Sequence, residues 1–127
     1  MQQTKHMKLA NHSKRLLKAF YYSACGLKTA FQDHIAFKQA AFLTIIVIPL
    51  ALILGTTAVE KVILIGSWSL VLFMEIINSA IEMLVDRISL EIHPLSKKIK
   101  DMSSAAVLLA IVNAVIVWTI ILVDNFW

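Results

Sequence analysis

The sequence predicts an all-α integral membrane protein, with an N-terminal amphipathic surface helix followed by three transmembrane helices per protomer. Three observations carry this expectation. Hydrophobic residues fill 59% of 127 positions and mean hydropathy is +0.78, where soluble domains are roughly 45–50% apolar. Three apolar runs approach the roughly 20 residues needed to cross a hydrocarbon core of about 30 Å. Charged residues, only 16% of the chain, cluster between those runs. The length accommodates one domain, so residues 1–127 are expected to form a single membrane domain.

The first eighteen residues carry Lys5, Lys8, Lys14, Arg15 and Lys18. No short apolar core with a small-residue cleavage site follows them, so the segment reads as a retained arm and not a signal peptide. A surface helix is expected over about 8–33. Leu16, Phe20, Ala24, Leu27, Phe31 and Ile35 recur at spacings of three or four, while Lys14, Lys18, Tyr22, Thr29 and Gln32 lie mainly on the other side. A basic amphipathic helix with aromatics at 20, 21, 22 and 31 suits the headgroup region of a bilayer. Packing on the other helices of the same protein is compatible with that placement.

The first span is expected at about 35–54, with Lys38 and Gln39 in its first turns, where a long side chain can reach back to water. Pro49 is expected to kink it, which neighbouring membrane helices accommodate. Gly55-Thr56-Thr57 breaks the apolar run, and Glu60-Lys61 marks a short polar turn. The second span is expected at about 62–83. A polar connection at 86–101 follows, with a turn at His93 because Pro94 disfavours helix there. The third span is expected at about 105–123, with Trp118 and Trp127 as interface anchors.

Charge asymmetry predicts topology. Of twelve Lys and Arg residues, those at 5, 8, 14, 15, 18, 28 and 38 precede or open the first span, and those at 87, 97, 98 and 100 fall between the second and third; Lys61 alone is on the other side. The positive-inside bias then places the N-terminus and the 86–101 loop in the cytoplasm and the C-terminus outside. The net charge of +4 is read as orientation, not as nucleic-acid binding. One cysteine, Cys25, excludes an intramolecular disulfide framework. Glycines only at 26, 55 and 66 exclude a P-loop.

The second span carries the anomaly. At about 100° per residue, Glu75, Asn78, Glu82 and Asp86 fall on one narrow stripe of an otherwise apolar helix. An acid at a bilayer centre costs about 2.5–3.5 kcal/mol on insertion scales, and the apolar residues of this run return about 5 kcal/mol in total. The span therefore inserts by a narrow margin, which points to acids that are used. With the predicted orientation Glu82 lies near the cytoplasmic interface and Glu75 about 10 Å deeper. The stripe leads to Glu91, His93, Lys100 and Asp101, with Ser104 opening the third span. Such carboxylates, an amide and a lysine at headgroup level suit a metal-bound phosphate and a lipid hydroxyl. Structural pairing and an ion or proton pathway are the competing readings. A pathway needs polar groups at both ends, and the other spans offer little beyond Thr44, Asn113 and Thr119.

The run Glu75-Ile76-Ile77-Asn78-Ser79-Ala80-Ile81-Glu82, then Val85-Asp86-Arg87, then Lys100-Asp101-Met102-Ser103-Ser104-Ala105-Ala106-Val107 resembles the signature of the small prokaryotic diacylglycerol kinases. The likeness extends from about Arg15 to Trp118. It implies a homotrimeric kinase of the bacterial inner membrane with shared active sites. The implied reaction passes the γ-phosphate of ATP, bound with Mg2+, to diacylglycerol, giving phosphatidic acid. By that resemblance Glu75 is the catalytic base, Glu82 a magnesium-binding carboxylate that also meets ATP, and Asn78 and Asp86 supporting residues. Glu91, Ile92, His93, Lys100 and Asp101 match the ATP-binding loop. Arg15 and Tyr22 match positions that contact ATP or lipid, and Arg15, Glu75 and Ser104 match the lipid substrate side.

Two positions depart from the family pattern. His34 stands where a second metal-binding glutamate is usual, and imidazole is a poorer magnesium ligand than carboxylate. Either the neighbouring Asp33 substitutes by a small helix shift, or a metal is held more weakly, or the chain is less active than its relatives. Phe37-Lys38-Gln39 is followed by Ala40 instead of an acid. An undecaprenol kinase of the same fold, and a non-enzymatic membrane oligomer, are the alternative functions.

Overall fold

The computed structural model describes residues 2–88 and 91–127, with side chains from residue 13 onward. It contains α1 (Gln2–Asp33), α2 (Ile35–Leu54), α3 (Ala58–Ile88) and α4 (Pro94–Phe126), and no strand among the described residues. The last three are long and apolar enough to cross a membrane, as the sequence leads one to expect.

The helices outrun the apolar spans. α3 begins four residues before Val62 and continues to Ile88, and α4 starts at Pro94, eleven residues before Ala105. The polar connection expected over 86–101 is therefore mostly helix, apart from a short link of which Ser89 and Leu90 lie outside the described residues. Proline explains the start of α4: its fixed φ suits the first helical position. His93 caps the helix in extended conformation, its Nδ1 accepting from the Leu95 N–H at 3.1 Å. α2 runs unbroken through Pro49.

The antiparallel α3–α4 pair forms the largest interface, and α2 packs on the α3 side. Leu64, Val71, Asn78 and Val85 are buried on α3 at strict seven-residue spacing. They face Ser103, Val107, Ala110 and Ala114, the buried stripe of α4. This is a coiled-coil seam, in which a seven-residue repeat keeps one face toward the partner. Lipid tails are as apolar as leucine, so close packing and interhelical hydrogen bonds hold such helices together. Small residues on α4 meet the first need. Polar contacts meet the second. The Trp68 indole N–H donates to Thr44 Oγ1 at 2.9 Å, joining α3 to α2, and the Trp118 indole N–H donates to the Leu64 carbonyl at 3.3 Å. Trp118, expected as an interface anchor, is thereby turned inward.

A clasp closes the far end of the bundle. The Asn125 amide donates to the Leu54 carbonyl at 3.3 Å and to Glu60 Oε2 at 2.8 Å, while the Thr56 N–H donates to the same oxygen at 2.8 Å. The expected polar turn at Glu60 is thus a joint between three helices. Gly55 permits it: a Cβ there would lie 2.8 Å from Lys61 Cγ and 3.0 Å from the Ala51 carbonyl oxygen.

α1 meets the rest of the chain at its C-terminal end. Ala30 is buried, the Phe31 and Phe42 rings lie 5.6 Å apart, and Lys38 Nζ sits 5.6 Å from the Phe31 ring centroid. Leu16, Phe20 and Leu27, from the apolar face of the helix, stay exposed. Packing within the protomer leaves that face uncovered, in keeping with a helix lying on a membrane surface.

Replacing Gly55 by Ala should force the α2–α3 turn apart. Thermal unfolding in detergent micelles is expected to show a loss of about 1–3 kcal/mol, whereas Gly26→Ala and Gly66→Ala, with nothing within 4 Å of the added methyl, should be neutral or stabilising.

Candidate active site

The polar stripe of α3 faces the first turns of α4. Asn78 and Ser103 are both buried, 9% and 8% exposed. Ser103 Oγ donates to Asn78 Oδ1 at 2.6 Å, and Asn78 Nδ2 donates to Glu82 Oε1 at 3.1 Å. One turn further along, Asp86 pairs with Lys100 across the two helices, while Lys97 and Asp101 pair along α4. Three of the four stripe residues are thus tied into one network reaching from the apolar seam to water.

Beyond Asp86 the network opens into a cavity of about 280 Å³. Val85, Asp86, Glu91, Ile92, His93, Ser96, Lys97, Lys100 and Asp101 line it. Five residues expected from sequence to bind ATP, namely Glu91, Ile92, His93, Lys100 and Asp101, therefore share one recess. The α3 terminus, residues 91–93 and the first two turns of α4 build it, with His93 extended and Pro94 starting a new helix. Lysines paired to exposed carboxylates are readily re-paired, since such surface ion pairs are worth about 0–1 kcal/mol. A phosphate can displace them and gain charge-assisted hydrogen bonds.

Other expected site residues lie apart. Arg15 and Tyr22 are exposed on α1, and none of the described α1 side chains lines the cavity. Ser104 is exposed, about 100° around α4 from the buried Ser103. Glu75 is half-buried on α3, and its carboxylate makes no hydrogen bond or ion pair among the described residues. A carboxylate at membrane depth without a partner is costly unless it meets another chain, water or a substrate.

The donor set for a cation is sparse. Among the described residues no three His, Cys, Asp or Glu side chains converge on one point. Glu82 offers a hard oxygen: Oε1 accepts from Asn78, and Oε2 has no donor among the described residues. Magnesium is usually held by one or two carboxylates together with substrate phosphates, and Glu82 fits that pattern. His34 does not contribute oxygen. Its buried Nε2 has no hydrogen-bond partner among the described residues, and it lines a mainly apolar cavity with Gly26, Thr29, Ala30, Ile76, Ser79, Ala80 and Met83, to which neither Glu75 nor Glu82 contributes.

Ser103 escaped the sequence reading, which singled out Ser104. The missed signal is periodicity: Ser103, Ala110 and Val107, Ala114 are seven-residue pairs of small or branched residues, the mark of an interhelical seam.

Fold and site together define a small multi-span helical membrane protein with a stripe of polar groups leading into a charged recess at one end of its bundle. The chain belongs to the prokaryotic diacylglycerol kinase family, whose sequence profile matches residues 21–122. It is 46% identical over 112 residues to the diacylglycerol kinase of Escherichia coli K12, covering 88% of this chain and 92% of that protein. It is 44% identical over 109 residues to the diacylglycerol kinase of Pseudomonas aeruginosa, covering 86% and 89%. To that of Helicobacter pylori 26695 it is 43% identical over 105 residues, covering 83% and 82%.

Asn78→Leu separates packing from chemistry. Leucine completes the apolar seam of Leu64, Val71 and Val85, and the Ser103 hydroxyl can turn to the Lys100 carbonyl, 3.0 Å away. Melting in micelles should stay within about 1 kcal/mol of the parent; if Glu82 serves the reaction, kinase activity should fall sharply because Glu82 loses its donor.

Proposed function

We propose that this protein is an ATP-dependent lipid kinase that transfers the γ-phosphate of MgATP to the hydroxyl of diacylglycerol, giving phosphatidic acid. The observation that carries this reading is its likeness to named diacylglycerol kinases over 82–92% of their length. The family profile's match over residues 21–122 spans the positions of the stripe from Glu75 to Asp86.

In this reading Glu75 is the catalytic base. Its unpaired carboxylate sits about 10 Å along α3 from Glu82, at a depth a lipid hydroxyl can reach. It takes the hydroxyl proton as the lipid oxygen bonds to the γ-phosphorus and the bond from that phosphorus to the β–γ bridging oxygen breaks, releasing ADP. The recess formed by Glu91, Ile92, His93, Lys100 and Asp101 receives the nucleotide, with Asp86 holding Lys100 ready for phosphate. Glu82 would hold Mg2+, which when bound neutralises charge on the phosphates. Asn78 steadies Glu82. Positioning and charge neutralisation are the main demands of phosphoryl transfer, and this small set of groups suits them.

Arg15, Tyr22 and Ser104 complete the site as nucleotide- and lipid-contacting residues. Because Arg15 and Tyr22 stand outside the recess of their own protomer, the natural arrangement is a homotrimer with active sites shared between chains. The unpartnered Glu75 supports the same arrangement. The N-terminus and the α3–α4 link are assigned to the cytoplasm and the C-terminus to the outside, on the bias of eleven basic residues against Lys61. ATP supply from the cytoplasm agrees with that sidedness. The chain acts as one membrane domain in the bacterial inner membrane.

Glu75→Gln keeps the shape of the side chain and removes the base. Transfer of labelled phosphate to diacylglycerol in micelles is expected to fall by about 10²–10⁴ in kcat with melting little changed; retention of the parent rate would refute the assigned role. If His34 occupies a second cation position, His34→Glu supplies a harder ligand and should lower the Mg2+ concentration needed for half-maximal rate. An unchanged or raised requirement would remove His34 from the site.

A further inference from the structure

Ser103 lines neither the recess nor the carboxylate stripe, yet it makes a hydrogen bond between α3 and α4 within a buried pair, 2.6 Å from its Oγ to Asn78 Oδ1. Serine within a helix commonly spends its proton on a carbonyl of the preceding turn, and such a carbonyl is available: Lys100 O lies 3.0 Å from the same Oγ. One hydroxyl proton cannot serve both acceptors, and the choice has consequences for Asn78. With the proton on Lys100 O, Ser103 offers only lone pairs. Asn78 would then have to present its NH2 group to Ser103 and turn its carbonyl toward Glu82 Oε1, now 3.1 Å from Nδ2. That would set two oxygen acceptors against each other, one of them on a carboxylate. With the proton on Asn78 Oδ1, the NH2 group faces Glu82 and every contact pairs a donor with an acceptor. Hydroxyl rotor, amide orientation and carboxylate thus form a single chain of three groups. Burial of Ser103 and Asn78 removes the water that would otherwise let each choose independently.

We infer that Ser103 is a positioning residue, which fixes the Asn78 amide so that its NH2 group holds Glu82 Oε1 and leaves Oε2 available to a cation and its phosphates. The inference rests on the reading of Glu82 as the magnesium carboxylate. It adds to that reading the group that sets the carboxylate's orientation, on a different helix from the carboxylate itself. Ser103 touches neither nucleotide nor lipid in this account. It acts through Asn78 alone.

The test compares the full-length parent protein with Ser103→Ala, Ser103→Thr and Glu82→Gln in micelles. Two readouts are taken: the side-chain amide ¹⁵N–¹H resonances of Asn78, and steady-state kinetics against MgATP. In the parent and in Ser103→Thr, which keeps the hydroxyl, the two Asn78 amide protons should give sharp, separate peaks, and KM for MgATP should agree within twofold. In Ser103→Ala the peaks should broaden or move toward solvent-exposed values, and KM should rise about fivefold or more with kcat at saturation within about twofold. Unaltered Asn78 peaks and KM in Ser103→Ala, alongside a raised KM in Glu82→Gln, would overturn the role of Ser103 while leaving Glu82 in place. A parental KM in Glu82→Gln would overturn both. A lowered melting temperature in Ser103→Ala with no change in KM would also overturn the inference, by reducing Ser103 to a packing contact.

Discussion

The hydrogen bond between Ser103 and Asn78 sets the relation between α3 and α4. Its partners lie within a seam of Leu64, Val71, Val85, Val107, Ala110 and Ala114. Apolar side chains of similar size would tolerate a shift of one helix along the other, because lipid offers no hydrophobic penalty for the alternative. A buried amide tolerates much less. A polar residue at one core position of a helix pair selects register at some cost in stability. With Asn78 opposite Ser103, Asp86 comes opposite Lys100 and Leu64 opposite Trp118, as the observed contacts record. One polar pair thereby aligns the charged recess with the carboxylates below it.

The opposite end is held differently. Asn125 and Glu60 draw the end of α2, the start of α3 and the end of α4 together through hydrogen bonds to the Leu54 carbonyl and Thr56, and Gly55 leaves room for the approach. The bundle is thus secured at its far end and in register along the α3–α4 seam, while Glu75 has no partner among the described residues and the recess is open to water. A rigid frame with exposed, exchangeable ion pairs at one end is what positioning chemistry requires. α1, joined through Ala30 and Phe31 and exposing Leu16 and Phe20, is the least committed element of the protomer, and its free apolar face suits both a membrane surface and a neighbouring chain.

Much of this was legible in the sequence. Helix identity and span number follow from runs of apolar residues, and the shared face of Glu75, Asn78, Glu82 and Asp86 follows from helical phase alone. The charged recess is legible through family resemblance, which draws together Glu91, His93, Lys100 and Asp101. Phase within one helix does not specify which residue of another helix stands opposite. For that reason the sequence does not distinguish Ser103, which meets Asn78, from its neighbour Ser104, nor reveal that Glu60 joins three helices. The connection at 86–101 read as polar loop because polarity marks exposure, and an exposed helix end is as polar as a loop. His34 posed the reverse difficulty: the resemblance gave its position meaning, while its buried Nε2 and apolar neighbours lie in the tertiary structure.

The most direct measurement is transfer of radiolabelled γ-phosphate from MgATP by the purified protein in micelles offered diacylglycerol and a long-chain polyprenol side by side. The account predicts labelled phosphatidic acid as the dominant product, abolished when the divalent cation is chelated and restored when it is returned. Preferential labelling of the polyprenol, or no labelled lipid at all, would contradict it.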